Sequence, residues 1–332
     1  MSPTDLAAVY PEILLILIGS ALVLADAFSP RLRPGLGGAT AVAAAAALAL
    51  RWIEPAPGVC WSGALAVDSL ARFVDTYILA AVILVAVLAG PYLARTQSRY
   101  GEFYGLLLWA AVGAMTMAKA DHLVVVFIGL ELLSISLYVL NAFHRNSGIS
   151  LEAGWKYFVV GAFASALLLF GIALLYGATG TLSLRSTAEA IVRQPLAGNP
   201  LALTGLALVL AGAGFKLALV PFHAWAPDVY QGAPTPVTAF LSVVPKGAML
   251  IVLARIVAFV SPQLITPRWL PLLAAVAVAS QTLGNLVAIA QRDVKRLLAY
   301  SGIAHMGYAL VGVVAFGSDG VTGVLVYLAA YT

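Results

Sequence analysis

Charged residues are scarce in this sequence. Only 10% of its 332 residues are Asp, Glu, Lys or Arg, whereas 62% are hydrophobic. An ordinary soluble domain has about 25% charged residues, which keep its surface in water. The shortage excludes a soluble surface of that kind, and it predicts a polytopic membrane protein in contact with the lipid bilayer.

Cysteine and histidine are scarce as well. A single cysteine, Cys60, excludes an internal disulfide bond and an iron–sulfur cluster held by several cysteines. The four histidines are dispersed, and no His/Cys group has the spacing of a metal site, so we expect neither a metal nor a cofactor in this chain. The net charge of +4 is small and scattered, which argues against nucleic acid as a partner.

Long apolar runs fill most of the chain. A membrane-spanning helix needs roughly 20 predominantly apolar residues. Segments of this character lie at 11–28, 37–53, 69–92, 104–118, 122–141, 153–176, 200–220, 237–260, 269–290 and 298–316. Another begins near Val321 and reaches Thr332 without a flanking charge, so we expect the chain to be cut within a helix. The predicted fold is all-α, a single membrane domain over residues 1–332 with about 11 transmembrane helices.

Basic residues in short loops predict the orientation of such a chain, because they are retained on the cytoplasmic side. With the N-terminus outside, the cytoplasmic side receives Arg31, Arg33, Arg95, Arg99, Arg145, Arg292, Lys295 and Arg296. The opposite side receives fewer, namely Arg51, Lys119, Arg185, Arg193 and Arg268. This bias predicts an outside N-terminus. The segment 182–194 is too polar to span, and it is either a short helix at the outer interface or a polar connector.

Three ionisable residues lie deep in predicted spans. An ionisable residue at the centre of a membrane helix costs roughly 2.5–3.5 kcal/mol, which makes each one a functional candidate. Glu131 and Lys246 lie near the centres of their spans, too far from either interface to reach water. His305 lies in the first half of its span, where it is either a neutral core histidine or part of a polar relay.

A fourth candidate, Lys216, lies about four residues before the predicted end of its span. Pro221 follows it, and a proline removes a backbone N–H and clashes with the preceding turn, so the helix is expected to break there. Irregular backbone at membrane depth is tolerated where it is buried in protein or lines a water-filled cavity. The break, which also includes His223, is therefore expected to give water access to Lys216.

These residue types fit proton movement. Burial disfavours the charged form of a lysine, and a nearby carboxylate favours it. At about 6 Å and an effective dielectric near 20, such coupling is worth roughly 3 kcal/mol. We therefore hypothesise that Glu131 and Lys216 lie close together and form a protonation switch. Arg72 and Asp75, three residues apart in one span, are instead expected to pair near the interface.

Four motifs carry a family resemblance. They are GLELLS at 129–134, VPFHAW at 220–225, DVYQGAPTPVTAFLS at 228–242 and LYGATGT at 175–181. The first two, with the lysine at position 216, resemble the antiporter-like subunits of respiratory complex I, which belong with the cation/proton antiporter and membrane-bound hydrogenase subunits. The last two narrow the resemblance to the subunit N group of the bacterial proton-pumping NADH:quinone oxidoreductases.

The resemblance implies a fold of about 14 helices with two inverted five-helix repeats, each containing a broken helix. Residues 1–100 would be N-terminal helices, 101–262 the first repeat with its break after Lys216, and 263–332 the start of the second repeat. Glu131 and Lys216 would be the paired residues of the first repeat. Lys246 would be the central relay residue, His305 would lead onward, and His223 would support the break.

The implied function is proton translocation in the bacterial inner membrane, as one subunit of an NADH:quinone oxidoreductase. Redox chemistry would take place in the other membrane and peripheral subunits, which would hold NADH, FMN, iron–sulfur clusters and quinone. One alternative is a subunit of an Mrp-type Na⁺/H⁺ antiporter or of a membrane-bound hydrogenase. Another is a purely structural subunit whose charges lock its helices together.

Overall fold

The chain is described here by a computed structural model that covers residues 3–53, 58–96, 100–193, 199–264, 269–315 and 317–331. Within these ranges it folds into fourteen α-helices and one short β-hairpin. The elements are α1 Pro3–Ala7, α2 Tyr10–Phe28, α3 Arg33–Ile53, β1 Gly58–Cys60, β2 Leu65–Val67, α4 Ser69–Thr96, α5 Tyr100–Lys119, α6 Leu123–Asn141, α7 Gly148–Thr179, α8 Leu184–Arg193, α9 Pro200–Lys216, α10 Trp225–Gly232, α11 Thr235–Leu264, α12 Trp269–Ile289, α13 Val294–Ala315 and α14 Ser318–Tyr331.

The polytopic helical architecture is confirmed. Nine helices in the described ranges are long and apolar enough to cross a membrane. Two further apolar helices, Pro200–Lys216 and Asp319–Tyr331, are shorter than a full span, so the predicted total of about 11 spans is not confirmed. The hairpin of β1 and β2 was not predicted. It pairs antiparallel, with Val59 opposite Ala66.

Hydrogen bonds between connections define the two ends of the helix bundle. At one end, which we call the basic end, Asp26 accepts from Arg33 at 2.5 Å and from the backbone N–H of Gly101 at 2.9 Å. Tyr92 and His144 meet there at 2.7 Å. These contacts join the α2–α3, α4–α5 and α6–α7 connections, which contain several of the basic residues that the sequence assigns to one side.

The opposite end, which we call the hairpin end, holds β1, β2 and α8. The backbone of Leu184 donates to the carbonyl of Asp121 at 2.9 Å, and Leu123 donates to Leu182 at 2.9 Å. A β-bridge between Leu65 and Ala120 joins the hairpin to the same place. Of the two readings of segment 182–194, the short helix is the one observed, as α8 over Leu184–Arg193.

Helix α11 is the centre of the bundle. In the most apolar stretch of Thr235–Ala258, 83% of the residues are buried, which is the largest share among the described spans. It packs against α4, α5, α6, α8, α9 and α13. A helix that is apolar on all sides is suited to such an interior position. Lys246 lies near its middle and is therefore surrounded by protein.

Glycines permit two close helix contacts around the site. A Cβ on Gly113 of α5 would lie 2.7 Å from the carbonyl oxygen of Gly129 on α6. A Cβ on Gly171 of α7 would lie 2.7 Å from the carbonyl oxygen of Gly205 on α9. Small residues at membrane-helix interfaces allow backbones to approach in this way. These contacts hold α6 close to α5, and α7 close to α9.

Candidate functional site

The broken helix is formed by the end of α9. The helix ends at Lys216, four residues before the end at position 220 that the sequence predicts. Ala218 adopts a left-handed conformation with φ of 55°, its N–H donates to Phe215 O, and the N–H of Leu219 donates to Gly214 O, both at 2.9 Å. This pair of bonds is a Schellman motif. The prediction placed the end too late because it relied on Pro221, whereas the chain already turns at an alanine.

Two side chains hold the broken segment in place. The indole N–H of Trp225, the first residue of α10, donates to the carbonyl of Phe215 at 3.1 Å. The backbone N–H of Val220 donates to the hydroxyl of Ser280 on α12 at 3.0 Å. Backbone groups at a helix end need such partners, above all away from water. The break is therefore a bonded structure in which Lys216 has a fixed position.

The ammonium of Lys216 has two hydroxyl partners. Its Nζ donates to Ser134 Oγ on α6 and to Tyr157 OH on α7, each at 2.9 Å. The lysine is only 4% exposed and Tyr157 is fully buried. Neutral hydroxyls can hold the lysine in its charged or its neutral form, because each can donate as well as accept. The arrangement therefore suits a lysine that changes its protonation state.

Glu131 lies on α6 one turn before Ser134. Its side chain is half-buried, and its Oε1 is buried without a hydrogen-bond partner among the described residues. The carboxylate is close enough to interact electrostatically with Lys216. The structure thus brings the two predicted residues into one neighbourhood, while the direct contacts of Lys216 are with hydroxyls.

Lys246 is buried near the middle of α11. It is 1% exposed, and its Nζ has no hydrogen-bond partner in the described part of the chain. The Nζ lies 5.3 Å from the centre of the Tyr230 ring, a distance typical of a cation–π contact. A Cβ on Gly302 would lie 2.7 Å from this Nζ and 3.1 Å from the hydroxyl of Tyr331. Lys246 and Tyr331 therefore face each other across a gap that only glycine leaves open.

His305 belongs to the same neighbourhood. Its Nδ1 lies 2.5 Å from the hydroxyl of Tyr327, and its ring centre lies 4.9 Å from that of Tyr331. The charge of Lys246 acts on this ring. Both interpretations of His305, a neutral core histidine and a member of a polar relay, are compatible with these contacts, so the relay role stays a prediction.

His223 lies on the broken segment between α9 and α10. Its ring is half-buried, and its Nδ1 has no hydrogen-bond partner among the described residues. Its backbone carbonyl accepts from Ala226 at 3.0 Å and so begins α10. The structure places this residue at the break, apart from the described contacts of Lys216.

Asp228 ties α10 to two long helices at the basic end. Its carboxylate accepts from Lys156 of α7 and from Arg296 of α13, each at 2.6 Å. The hydrogen bond from the Lys156 ammonium, assisted by Arg296, lowers the pKa of Asp228 although partial burial opposes this. The ion pairs hold α10, and with it Tyr230, against both helices.

A buried group of four charged side chains at the hairpin end was not predicted. Arg51 Nη2 lies 3.2 Å from Glu12 and its Nε lies 2.7 Å from Asp75, while Lys119 also contacts Glu12. All four residues are at most 4% exposed. The sequence assigns Arg51 and Lys119 to loops, and it pairs Asp75 with a residue of its own helix. We call these four residues the hairpin-end ion cluster.

The sequence also missed the hydroxyl groups of the site. Ser134 belongs to the GLELLS motif, but Tyr157, Tyr230 and Tyr331 are not among the site residues that the sequence predicts. A search of the spans for hydroxyls as well as for ionisable groups would have included them. Their partners, however, come from other helices, and only the fold brings them together.

Sequence and structure comparisons agree closely. A family model described as NADH:quinone oxidoreductase/Mrp antiporter, transmembrane, matches residues 120–332. The NADH-quinone oxidoreductase subunit N of Trichlorobacter lovleyi is 41% identical over 99% of this chain and 68% of its own length. That of Desulfovibrio desulfuricans is 42% identical over 98% of this chain and 66% of its own length. The chain thus spans about two thirds of the length of these relatives.

Solved structures share the fold. A chain of respiratory complex I from Thermus thermophilus with bound aureothin is 36% identical, with a TM-score of 0.79 over 97% of this chain and 67% of that chain. A chain of the membrane-bound sulfane sulfur reductase, an archaeal respiratory membrane complex, is 26% identical, with a TM-score of 0.86 over 98% of this chain and 69% of that chain. A chain of the Mrp complex from Dietzia sp. is 23% identical, with a TM-score of 0.79 over 99% of this chain and 62% of that chain, and this likeness concerns the fold alone.

Proposed function

Because this chain belongs to the NADH:quinone oxidoreductase/Mrp antiporter transmembrane family, we propose that it is a proton-translocating membrane subunit of a bacterial NADH:quinone oxidoreductase. Relatives more than 40% identical are named as subunit N of that enzyme, which supports the assignment. Partner subunits hold NADH, FMN, the iron–sulfur clusters and quinone, and this chain contributes no redox site. The subunit lies in the inner membrane with its N-terminus outside.

The observation that supports proton movement best is the position of Lys216. A buried ammonium at the end of a broken helix, bonded to two hydroxyls and near one carboxylate, can lose its proton without losing its hydrogen bonds. A charge on Glu131 favours the protonated lysine, and removal of that charge releases the proton. Lys246 and His305 then accept it in turn. A structural or electrostatic change in the redox subunits drives each step by changing the position or the charge of Glu131 or Lys216.

The experiment compares proton pumping with electron transfer in the assembled complex. Lys216→Ala and Glu131→Ala are expected to lower the number of protons moved per NADH oxidised, while the complex assembles. Arg292→Ala, which removes an exposed charge at the basic end, is the matched control and retains normal pumping. Normal pumping stoichiometry in both site variants would overturn the assignment.

The domain division that we propose follows from the position of the break. Residues 1–100 are N-terminal helices, 101–262 form the first repeat, and 263–332 begin the second. The end of α9 at Lys216 supports this division, because the family resemblance implies a broken helix in the first repeat.

A second candidate is an antiporter or hydrogenase-type subunit. The higher TM-score, 0.86, belongs to the sulfane sulfur reductase chain, whereas the higher identity belongs to complex I. Backbone likeness is therefore greater to the reductase chain, and sequence likeness is greater to the complex I chain. Purification of the native complex separates them, because flavin and iron–sulfur absorbance together with NADH oxidation are expected from the first assignment and not from an Mrp-type antiporter.

A purely structural role for the buried charges makes a different prediction. Lys246→Met would then reduce the amount of assembled complex, and the complex that does assemble would pump normally. In the relay, the same variant assembles and pumps less. The ratio of proton movement to NADH oxidation, measured per assembled complex, distinguishes the two.

A further inference from the structure

Each of the two lysines of the site has a buried phenol beside it. Tyr157 is fully buried and its hydroxyl accepts from Lys216 at 2.9 Å. Tyr230 is 1% exposed, and its ring lies 5.3 Å from the Nζ of Lys246. The hydroxyl of Tyr230 is buried without a hydrogen-bond partner among the described residues. A buried polar group without a partner calls for an explanation, such as a functional role or a bridging water.

The phenols are also near one another. Tyr230 interacts electrostatically with the hydroxyls of Tyr157 and Tyr331. Tyr331 faces Lys246 across Gly302, and its ring lies beside His305. The contacts therefore run from Lys216 to Tyr157, from Tyr230 to Lys246, and from Lys246 through Tyr331 to His305, while α7 and α10, which carry Tyr157 and Tyr230, pack against each other.

Neighbouring elements hold these rings firmly. The ring of Tyr157 lies 4.9 Å from that of Trp225, which in turn is bonded to the end of α9. The backbone carbonyl of Tyr230 accepts from the hydroxyl of Thr238 at 3.1 Å, which joins α10 to α11. Fixed rings keep their hydroxyls at constant positions relative to the lysines, as directional proton transfer requires.

We propose that Tyr157 and Tyr230 are proton-carrying residues between Lys216 and Lys246. This inference rests on the proposed function of the chain. A phenol suits the task because its hydroxyl can donate and accept at the same time.

The transfer is balanced without any redox partner. An N–H bond of the Lys216 ammonium breaks as an O–H bond forms on Tyr157, and the original O–H bond of Tyr157 breaks as its proton leaves. That proton passes through a bridging water to Tyr230, and the proton of the Tyr230 hydroxyl passes through a second water to the neutral amine of Lys246, because the hydroxyl and the amine are not directly hydrogen-bonded. One proton has then moved, Lys216 is neutral, Lys246 is an ammonium, and both phenols are neutral again.

The test uses variants that remove only a hydroxyl. Tyr157→Phe and Tyr230→Phe are made in the full-length subunit of the assembled complex, and proton pumping per NADH oxidised is measured in vesicles. We expect both to fall to the level of Lys216→Ala, with normal assembly. Tyr104→Phe is the matched control, because Tyr104 on α5 is equally buried and its hydroxyl donates to Ala86 O on α4 at 3.3 Å, away from both lysines' described contacts.

The outcomes separate this inference from the proposed function. If Lys216→Ala lowers pumping while both phenylalanine variants pump normally, the phenols carry no proton and the function of the chain stands. If all three pump normally, both proposals fail. If the three fall together while Tyr104→Phe remains normal, the phenols belong to the relay.

A second measurement applies if a phenylalanine variant fails to assemble. Fluorotyrosine incorporated at position 157 retains the hydroxyl and the shape of the ring but makes the phenol more acidic. A proton-carrying phenol is then expected to shift the pH profile of pumping toward lower pH. An unchanged profile would overturn the proposal, because a ring that only fills space is indifferent to its acidity.

Discussion

The buried ammonium of Lys216 depends on a serine that has two hydrogen bonds. Ser134 accepts from Lys216 at 2.9 Å, and its own hydroxyl donates to the carbonyl of Leu130 at 2.6 Å. The hydroxyl proton therefore points along α6, and a lone pair is left for the ammonium. Ser134 fixes the direction from which the lysine approaches α6.

Ser134→Ala is expected to destabilise the protein. It leaves one N–H of a buried ammonium without its acceptor, which costs about 1–3 kcal/mol or more for a charged group. The free energy of unfolding of the purified complex, from a denaturant titration, measures the loss. Ser136→Ala is the control, since Ser136 is also buried on α6 and its hydroxyl donates to the carbonyl of Leu132 in its own helix. Equal losses in the two variants would contradict the role of Ser134.

His144 makes the basic end sensitive to pH. It lies in the α6–α7 connection with its Nε2 2.7 Å from the hydroxyl of Tyr92. Burial, together with the charge of Lys295, lowers the pKa of His144 below its usual value of about 6.5. The folded state therefore binds the proton less readily than the unfolded state does. Its stabilising contribution is complete above about pH 6.5 and is lost as the pH falls through the lowered pKa.

The expected result is a weaker response to acid in His144→Gln. An amide can retain a hydrogen bond to Tyr92 but does not titrate, so the thermal midpoint of the complex should fall less between neutral and mildly acidic pH. Asn146→Gln, in the same connection, should keep the wild-type response. Identical pH dependence in His144→Gln and wild type would show that another group is responsible.

At the scale of helices, the hairpin-end ion cluster joins α2, α3, α4 and α5. Arg51 of α3 is its central member because it contacts both carboxylates, those of Glu12 and Asp75. Two acids and two bases make the cluster neutral, and that balance is what permits its burial. The four helices are thus fixed in rotation as well as in position.

Arg51→Met is expected to cost about 3–5 kcal/mol, because it leaves Asp75 buried without its nearest cation. Adding Asp75→Leu should restore most of that loss, since the remaining pair of Glu12 and Lys119 is balanced. Denaturant titration of the purified complex gives both values. Arg33→Met, in a pair whose arginine is 41% exposed, is the control and should cost less than about 1 kcal/mol. A double variant as unstable as Arg51→Met alone would show that charge balance is not what stabilises the cluster.

The features that the sequence predicts are local, whereas the features that it misses depend on residues far apart in the chain. Apolar runs predicted the long helices well. In lipid, a helix satisfies its backbone groups by hydrogen bonds within its own segment, so a long apolar run can cross the membrane as a single helix. The predicted end of α9 was wrong by four residues, because an alanine in the sequence does not indicate the left-handed conformation that Ala218 adopts. The ion cluster was missed because its partners are far apart in sequence: Glu12 and Lys119 are separated by 107 positions.

The functional site divides in the same way. The sequence predicted Glu131 and Lys246 as site residues from their central positions in apolar runs, where an ionisable side chain cannot reach water. This prediction did not require knowledge of their contacts. The neighbours of Lys216 required the fold, since Ser134 and Tyr157 lie 82 and 59 positions away in the chain. When a site lies between helices, the sequence reveals its ionisable residues, but their contacts are known only from the structure.

For the whole molecule, the two ends differ in a way that favours one orientation. The basic end has exposed arginines such as Arg292, whereas Arg51 and Lys119 at the hairpin end are buried and neutralised. Among the described residues, burial removes the charges of Arg51 and Lys119 from solvent, and the exposed Arg185 at the hairpin end is paired with Asp121, so accessible positive charge favours the basic end. Because such charge is retained in the cytoplasm, the hairpin end and the N-terminus should face outside.

Cysteine labelling in intact cells tests this orientation. In a Cys60→Ser background, a cysteine is introduced by Val59→Cys, at an exposed position of β1, or by Arg292→Cys in the α12–α13 connection. A membrane-impermeant maleimide applied from outside is expected to label the variant at position 59 and to leave the one at 292 unlabelled. Opening the cells should make position 292 reactive, which controls for its exposure. The reverse pattern would show that the basic end and not the hairpin end faces outside.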